Sequence, residues 1–471
     1  MIRLPYDGLA PAGERGLRLL VDASRVVPAA PSVAGAVVLE VVPGGGPDPM
    51  AGPEAFAVVP GIVRAPLGVL ERVAAWAGAT EEEGSPARDR FDRVPSGVNP
   101  FVAAGAERRP VLSELAAGFR RAVAAAAGDG PFRAVAPWPG GHRWAAVLSH
   151  DLDVVAGWPL FTALRVLELG RKGDVGRSLR VLGAAAVAGR DPITAGVADL
   201  LHIEAELGVR STWFILCGDP TLRSWRRGDL TYRPESRRAS GILARIRGAG
   251  HELGVHGSFD TIERPELLAT QRARLAALDG TPPAGIRQHF LRMRPMETQR
   301  AMARAGFQYD STFGFADRNG FRLGLADVVP LEGAADFDLL PFCWMDRALS
   351  KYQEIEDPAA WIDDGLALAR MCRQVDGVWC GIWHPNLVPA LGFPGGLAAY
   401  RALVSGIQAS GDPWIAPAEA VVEWRRARRS VAIAGVDASG KVLATGTRSA
   451  LGPLRLEDQH GNAREPVEAA R

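Results

Sequence analysis

From about residue 140 to 425 the chain alternates short apolar runs with helical patterns, and that alternation limits its possible folds more than any other feature. The runs WAAVLSH, RSTWFILC, HELGVH, GIRQHF, FQYDST, ADFDLLPF and GVWCGIWH read as strands. Stretches between them, such as PELLATQRARLAALDG and METQRAMARAG, read as helices. Strands that alternate with helices build parallel βαβ units, hence an α/β barrel or a doubly wound sheet. In both architectures the side chains that do chemistry gather at the carboxyl ends of strands.

The flanks differ. Residues 1–135 read as a smaller mixed α/β module: LRLLVDASRVV and AGAVVLEVVP as short strands, then RPVLSELAAGFRRAVAAAAG as an amphipathic helix stopped by Gly128. Residues 156–200 read as a helical insertion, and 430–471 as a β-hairpin with a polar tail. A chain of 471 residues holds one large domain plus such pieces. A net charge of +1 offers no field to collect nucleic acid or anionic lipid. No window approaches 18 consecutive apolar residues, so no membrane span is expected. The start, MIRLPYDGLAPAGERG, lacks the basic and apolar regions of a secretory signal, which makes the expected location cytoplasmic. Four cysteines without a Cys-x-x-Cys pair read as reduced core residues.

Four clusters follow apolar runs. In SHDLD, Asp151 and Asp153 are two apart and share a strand face. Adjacent carboxylates repel unless something positive lies between them, and a metal with one as ligand and the other as base would resolve the conflict. A polar turn capping a helix is the alternative. In GHELGVHGSFD, His251 and His256 are five apart, so only one can face a site on a strand; His251 is read as structural. His256 and Asp260 are four apart, the offset that joins side chains on a helical turn, and Pro265 places the next helix cap beyond Asp260. GIRQHFLRMRP presents Arg287, His289, Arg292 and Arg294; an arginine beside a carboxylate base keeps it ionised. His384 precedes Pro385, which holds it extended at a strand end, a place suited to a general acid.

In this order SHDLD, HGSFD, GIRQHFLR, YDST and GIWH resemble the polysaccharide deacetylase family, the chitooligosaccharide-deacetylase homology domain of carbohydrate esterase family four. The resemblance covers roughly residues 140–425 and implies an α/β fold, a distorted (β/α) barrel. It implies a metal-dependent hydrolase that removes an acetyl group from an N-acetylated sugar or glycoconjugate. Residue by residue it makes Asp151 the base, Asp153 and His256 metal ligands, Arg287 the partner of the base and His384 the acid. Asp310 of YDST matches the aspartate that supports the acid, although the family's neighbouring tryptophan is absent. The second motif histidine is replaced by Asp260, which would add negative charge to the metal shell. His150 and His289 are the alternative third ligands. The implied cofactor is one divalent metal, zinc by family, with cobalt, nickel or manganese as alternatives. The implied partner is the acetylated sugar substrate, with a cytoplasmic lipid-linked, nucleotide-linked or small glycosidic acetamide fitting the expected location. Two other readings are an inactive carbohydrate-binding homologue and a hydrolase of a non-sugar amide. Trp213, Trp344, Trp379 and Trp383 lie near the motifs as possible sugar-stacking or core aromatics.

Overall fold

The computed structural model describes residues 1–469 except 6–8, 131, 156–157, 189–190, 227–228, 230–231 and 438–440. Its centre is a sheet built from β1 (Ala145–Leu152), β2 (Thr212–Leu216), β3 (Glu252–Gly257), β4 (Gly285–Gln288), β5 (Tyr309–Asp310), β6 (Val329–Pro330), β7 (Asp338–Leu339), β8 (Trp344–Met345), β9 (Val378–Ile382) and β10 (Trp414–Ile415). The spatial order is β6-β7-β5-β4-β3-β2-β1-β9-β8, with β10 also paired to β1. Every pairing is parallel except β6 with β7. The long strands are buried on both faces, and so they read as continuous apolar runs without a period of two.

The sheet curls because one stretch of chain touches both of its ends. Residues 338–345 pair with β5 where they begin (Asp338 opposite Tyr309) and with β9 where they finish (Trp344 opposite Gly381). Helices cover the outside: α1 (Trp158–Arg171), α2 (Val175–Ala188), α3 (Pro192–Leu207), α4 (Arg237–Gly248), α5 (Glu266–Asp279), α6 (Glu297–Arg304), α7 (Pro358–Gln374), α8 (Gly396–Ala409) and α9 (Ala418–Arg429). The fold is a distorted (β/α) barrel. No described helix is long and apolar enough to cross a membrane.

Residues 1–135 carry their own four-stranded sheet, with Val37–Val42 and Ile62–Pro66 at its centre. Val111–Ala127 is helical and ends at Gly128, but LRLLVDASRVV is not the expected strand. Its residues 17–24 belong to a helix, Pro11–Ser24, opened by Pro11 and burying Leu17, Leu20, Val21 and Ser24. Those residues recur at three and four, and Pro at the first helical position is a helix signal. A buried ion network, Asp22–Arg425–Asp327–Arg428, ties this helix to α9. At the other end of the chain, Ala432–Val436 and Val442–Gly446 pair as a hairpin. Its tip lies outside the described residues. Arg455–Glu457 pairs with Ala134–Val135.

Candidate metal and hydrolytic site

Asp151 stands near the end of β1, with Asp153 just beyond; His256 is on β3, Arg287 on β4, His289 after β4 and His384 after β9. All sit at the carboxyl ends of strands and line one cavity of about 150 Å³, apart from Arg287 beneath it. Phe161, Phe290, Tyr352, Asn386, Arg93, Arg347 and Lys351 are also in its wall.

Arg287 is fully buried, and four hydrogen bonds use most of its five N–H donors. Nη1 donates to Asp151 Oδ1 (2.7 Å), Nη2 to the hydroxyls of Ser149 (3.0 Å) and Ser311 (2.9 Å), and Nε to the Ser311 carbonyl (2.9 Å). Its guanidinium lies 4.3 Å from the centre of the Phe214 ring. Burial alone would raise the Asp151 carboxyl, but Arg287, with His256 and His384, holds it below the usual carboxylate range.

Three donors converge above this pair. His256 Nε2 is 3.1 Å and His289 Nε2 3.5 Å from Asp153 Oδ1, and the ligand atoms of these three residues all lie within 4.8 Å of one another. His256 Nδ1 donates to the Arg287 carbonyl (2.9 Å), which in the neutral ring leaves Nε2 a lone pair. Asp153 Oδ1 is buried and, among the described residues, accepts no hydrogen bond. A lone pair and a carboxylate oxygen 3.1 Å apart repel unless a cation lies between them. Tetrahedral ligands at about 2.0–2.1 Å from zinc are separated by about 3.4 Å. The donor set of two imidazoles and one carboxylate therefore fits a divalent ion in charge, chemistry and spacing. His289 Nδ1 faces Asp229 Oδ1 at 3.3 Å, the carboxylate–histidine arrangement that orients metal ligands. Burial opposes a charge on His289, but Asp229 and Asp153 outweigh it and raise its pKa.

Two residues after β4 pay no regard to ordinary backbone preference. Phe290 (φ 58°) and Leu291 (φ 56°) are both left-handed, which costs roughly 1–2 kcal/mol each. That turn swings the His289 ring against Phe290, with centroids 4.1 Å apart, and toward Asp153.

His384 points Nε2 at Asp153 Oδ2 (3.6 Å). Its Nδ1 donates to Asp346 Oδ1 and its backbone N–H to Asp346 Oδ2, both at 2.6 Å. Burial would lower its pKa, but Asp346 and Asp153 raise it, which favours imidazolium.

Two expected assignments need correction. Asp310 is not the support of His384: its carboxylate accepts from the Thr312 N–H (2.9 Å) and hydroxyl and from Gln299 Nε2 (2.9 Å), and burial raises its pKa to about 6. Asp346 occupies that place. Asp260 does not join the converging donors; it lies in a short 3-10 turn, Phe259–Ile262, and pairs with Arg264 Nη2 at 2.9 Å. His289 converges instead. His150 faces away, bridging the Trp383 carbonyl (2.8 Å) and Glu204 (3.0 Å). Arg292 and Arg294 pair with Glu263 and Asp92, outside the cavity. The four tryptophans near the motifs are core residues, each at most 2% exposed.

Asp346, Asp229, Arg347, Lys351 and Arg93 were missed in the sequence. Asp346 had a usable signal, a carboxylate ending the apolar run FCWM; Asp229, in RRGDL, had none. Arg93 comes from the N-terminal module. It pairs with Asp89 (Nε 2.8 Å) and donates to the Phe290 carbonyl (3.0 Å) and Tyr352 hydroxyl (3.3 Å). Beside it, Phe91 stacks on Phe290 with centroids 4.9 Å apart.

No protein-family model and no curated protein matches the chain. Solved structures do. A Mycobacterium smegmatis protein assigned to the polysaccharide deacetylases is 25% identical over 62% of this chain and 93% of its own, with a TM-score of 0.42. The chitin deacetylase of Colletotrichum lindemuthianum is 11% identical over 58% and 84%, with a TM-score of 0.31. A pseudoenzyme of carbohydrate esterase family four from Bacillus anthracis is 10% identical over 59% and 65%, with a TM-score of 0.28. Each of these likenesses spans about three fifths of this chain.

Proposed function

We propose that the protein is a metal-dependent hydrolase that removes an acetyl group from an N-acetylated sugar or glycoconjugate. The observation that carries the reading is the convergence of a charged base, a three-donor metal pocket and a carboxylate-held histidine on one cavity. Asp153, His256 and His289 would hold the ion, with zinc the best match to two imidazoles and one carboxylate. A divalent ion there supplies polarisation of the acyl oxygen and a more acidic water.

The chain's own groups do the rest. Asp151, kept ionised by Arg287, takes the proton of the attacking water. His384, oriented through Nδ1 by Asp346, carries its proton on Nε2, the atom that faces the site, and gives it to the leaving amine. The ring needs no reorientation between these states because both Asp346 oxygens are tied to the same residue.

The inactive, sugar-binding reading rested on Asp260 in place of a motif histidine; His289 supplies a third donor, so that substitution no longer favours it. The test is acetate release from N-acetylglucosamine oligosaccharides and glycosides by zinc-loaded protein, with metal content measured by elemental mass spectrometry. Release that disappears in Asp151→Asn, at unchanged metal content, supports the proposal. Stoichiometric metal with no release from any acetylated sugar would sink it.

A further inference from the structure

The hydrolytic cavity carries more positive charge than this chemistry uses. Arg347 follows Asp346 at the end of β8, and Lys351 lies one turn further, in the π-helical turn Ala348–Tyr352. Both line the cavity that holds Asp151, Asp153, His256, His289 and His384. Among the described residues Arg347 makes no hydrogen bond or ion pair, and Lys351 has only the Tyr352 ring, 5.8 Å away. Arg93, the third cation in the wall, differs: Asp89 and the Phe290 carbonyl hold it.

The nearby carboxylates are already committed. Asp346 gives both oxygens to His384, Asp151 binds Arg287, and Asp153 faces three imidazoles. Desolvation lowers the pKa of Arg347, and Arg165 adds to the effect. Lys351 is an exposed residue overall, yet desolvation of its ammonium and the nearby Arg347 and Arg90 bring its pKa down to about 8. A partly buried guanidinium left without an acceptor is unfavourable unless a ligand completes it, and a neighbouring ammonium adds to the field that draws an anion. A guanidinium presents its donors as a planar fork that matches two oxygens of a carboxylate or phosphate.

We infer that Arg347 and Lys351 form an anion subsite beside the hydrolytic centre, and that the substrate is an acylated sugar bearing a phosphate or carboxylate group. The sugar itself rests on the function proposed above; the anion does not. Calorimetry on zinc-loaded protein, with N-acetylglucosamine, N-acetylglucosamine 1-phosphate and N-acetylmuramic acid as probes, tests it. At least one anionic probe should bind tenfold or more tightly than the neutral sugar. That advantage should fall at least tenfold in Arg347→Met and severalfold in Lys351→Met, whose exposed position keeps folding out of the result. A tighter phosphate assigns a phosphoester substrate, and a tighter acid assigns a carboxylated sugar. Equal binding of all three probes, or an advantage unchanged in both variants, overturns the subsite. Binding is the readout, so absence of acetate release would count against the hydrolase alone.

Discussion

His150 and Asp151 are neighbours on one strand, and they face two polar clusters with opposite characters. On the side of His150 every group is closed. Glu204 accepts from Tyr400 (2.5 Å) and Ser211 (2.9 Å) and contacts His150, while His251 Nδ1 accepts from the Ser211 N–H (3.0 Å). On the side of Asp151, Asp153 Oδ1 and the Arg347 guanidinium have no hydrogen bond among the described residues, and they border a cavity. Both clusters pair histidine with carboxylate. What separates structure from chemistry here is unfilled valence beside open space, not residue type.

The two histidine–carboxylate pairs even titrate in opposite senses. His384 is raised because Asp346 and Asp153 overcome burial; His251 is lowered because burial overcomes Glu204. The His384 contact therefore stabilises the fold fully below the ordinary imidazole value of about 6.5, and is lost as pH rises through its raised value. The neutral state of His251 stabilises above about 6.5, and that contribution is lost as pH falls through its lowered value.

Variants can break or sharpen this contrast. The largest effect is expected at the open cluster: Asp151→Asn and Asp346→Asn should each lower kcat by about 10²–10⁴ while thermal unfolding shows a folded protein. Equal losses of activity from Glu204→Gln, measured per folded molecule, would erase the distinction. At the closed cluster Glu204→Ala should cost about 3–5 kcal/mol of stability in denaturant titration, since it strands buried partners, and should leave metal content unchanged. His289→Ala should weaken zinc binding by about 10-fold or more in a chelator competition. The alkaline limb of the rate should lie above about pH 6.5, the side to which His384 is shifted, and Asp346→Asn should move it down. Asp260→Ala should do least to metal content, with zinc retained, because Asp260 stands apart from the converging donors.

Much of the barrel was legible because its long strands are buried on both faces and therefore read as unbroken apolar runs. Asp151, Arg287 and His384 were legible for the related reason that polar residues interrupt those runs at their carboxyl ends. Asp260 misled because a spacing of four joins side chains on a helix, whereas His256 sits on a strand and its neighbour lies across the sheet on the next one. Asp346 escaped because the closing strand, Trp344–Met345, is two residues long and carries no period. In the N-terminal module, the short run LRLLVDASRVV fits a strand in isolation; only Pro11 and the three-to-four spacing identify the helix.

The Arg93–Phe290 and Phe91–Phe290 contacts bear on how such a protein could be cut or recombined. A segment near residue 90 braces the strained turn that aims His289, while the Asp22–Arg425 network fastens the helix Pro11–Ser24 to α9. Architecture changes near residue 135, but the working unit does not end there. Chimeras that exchange the barrel alone would inherit the motifs and lose the brace against the turn that carries His289.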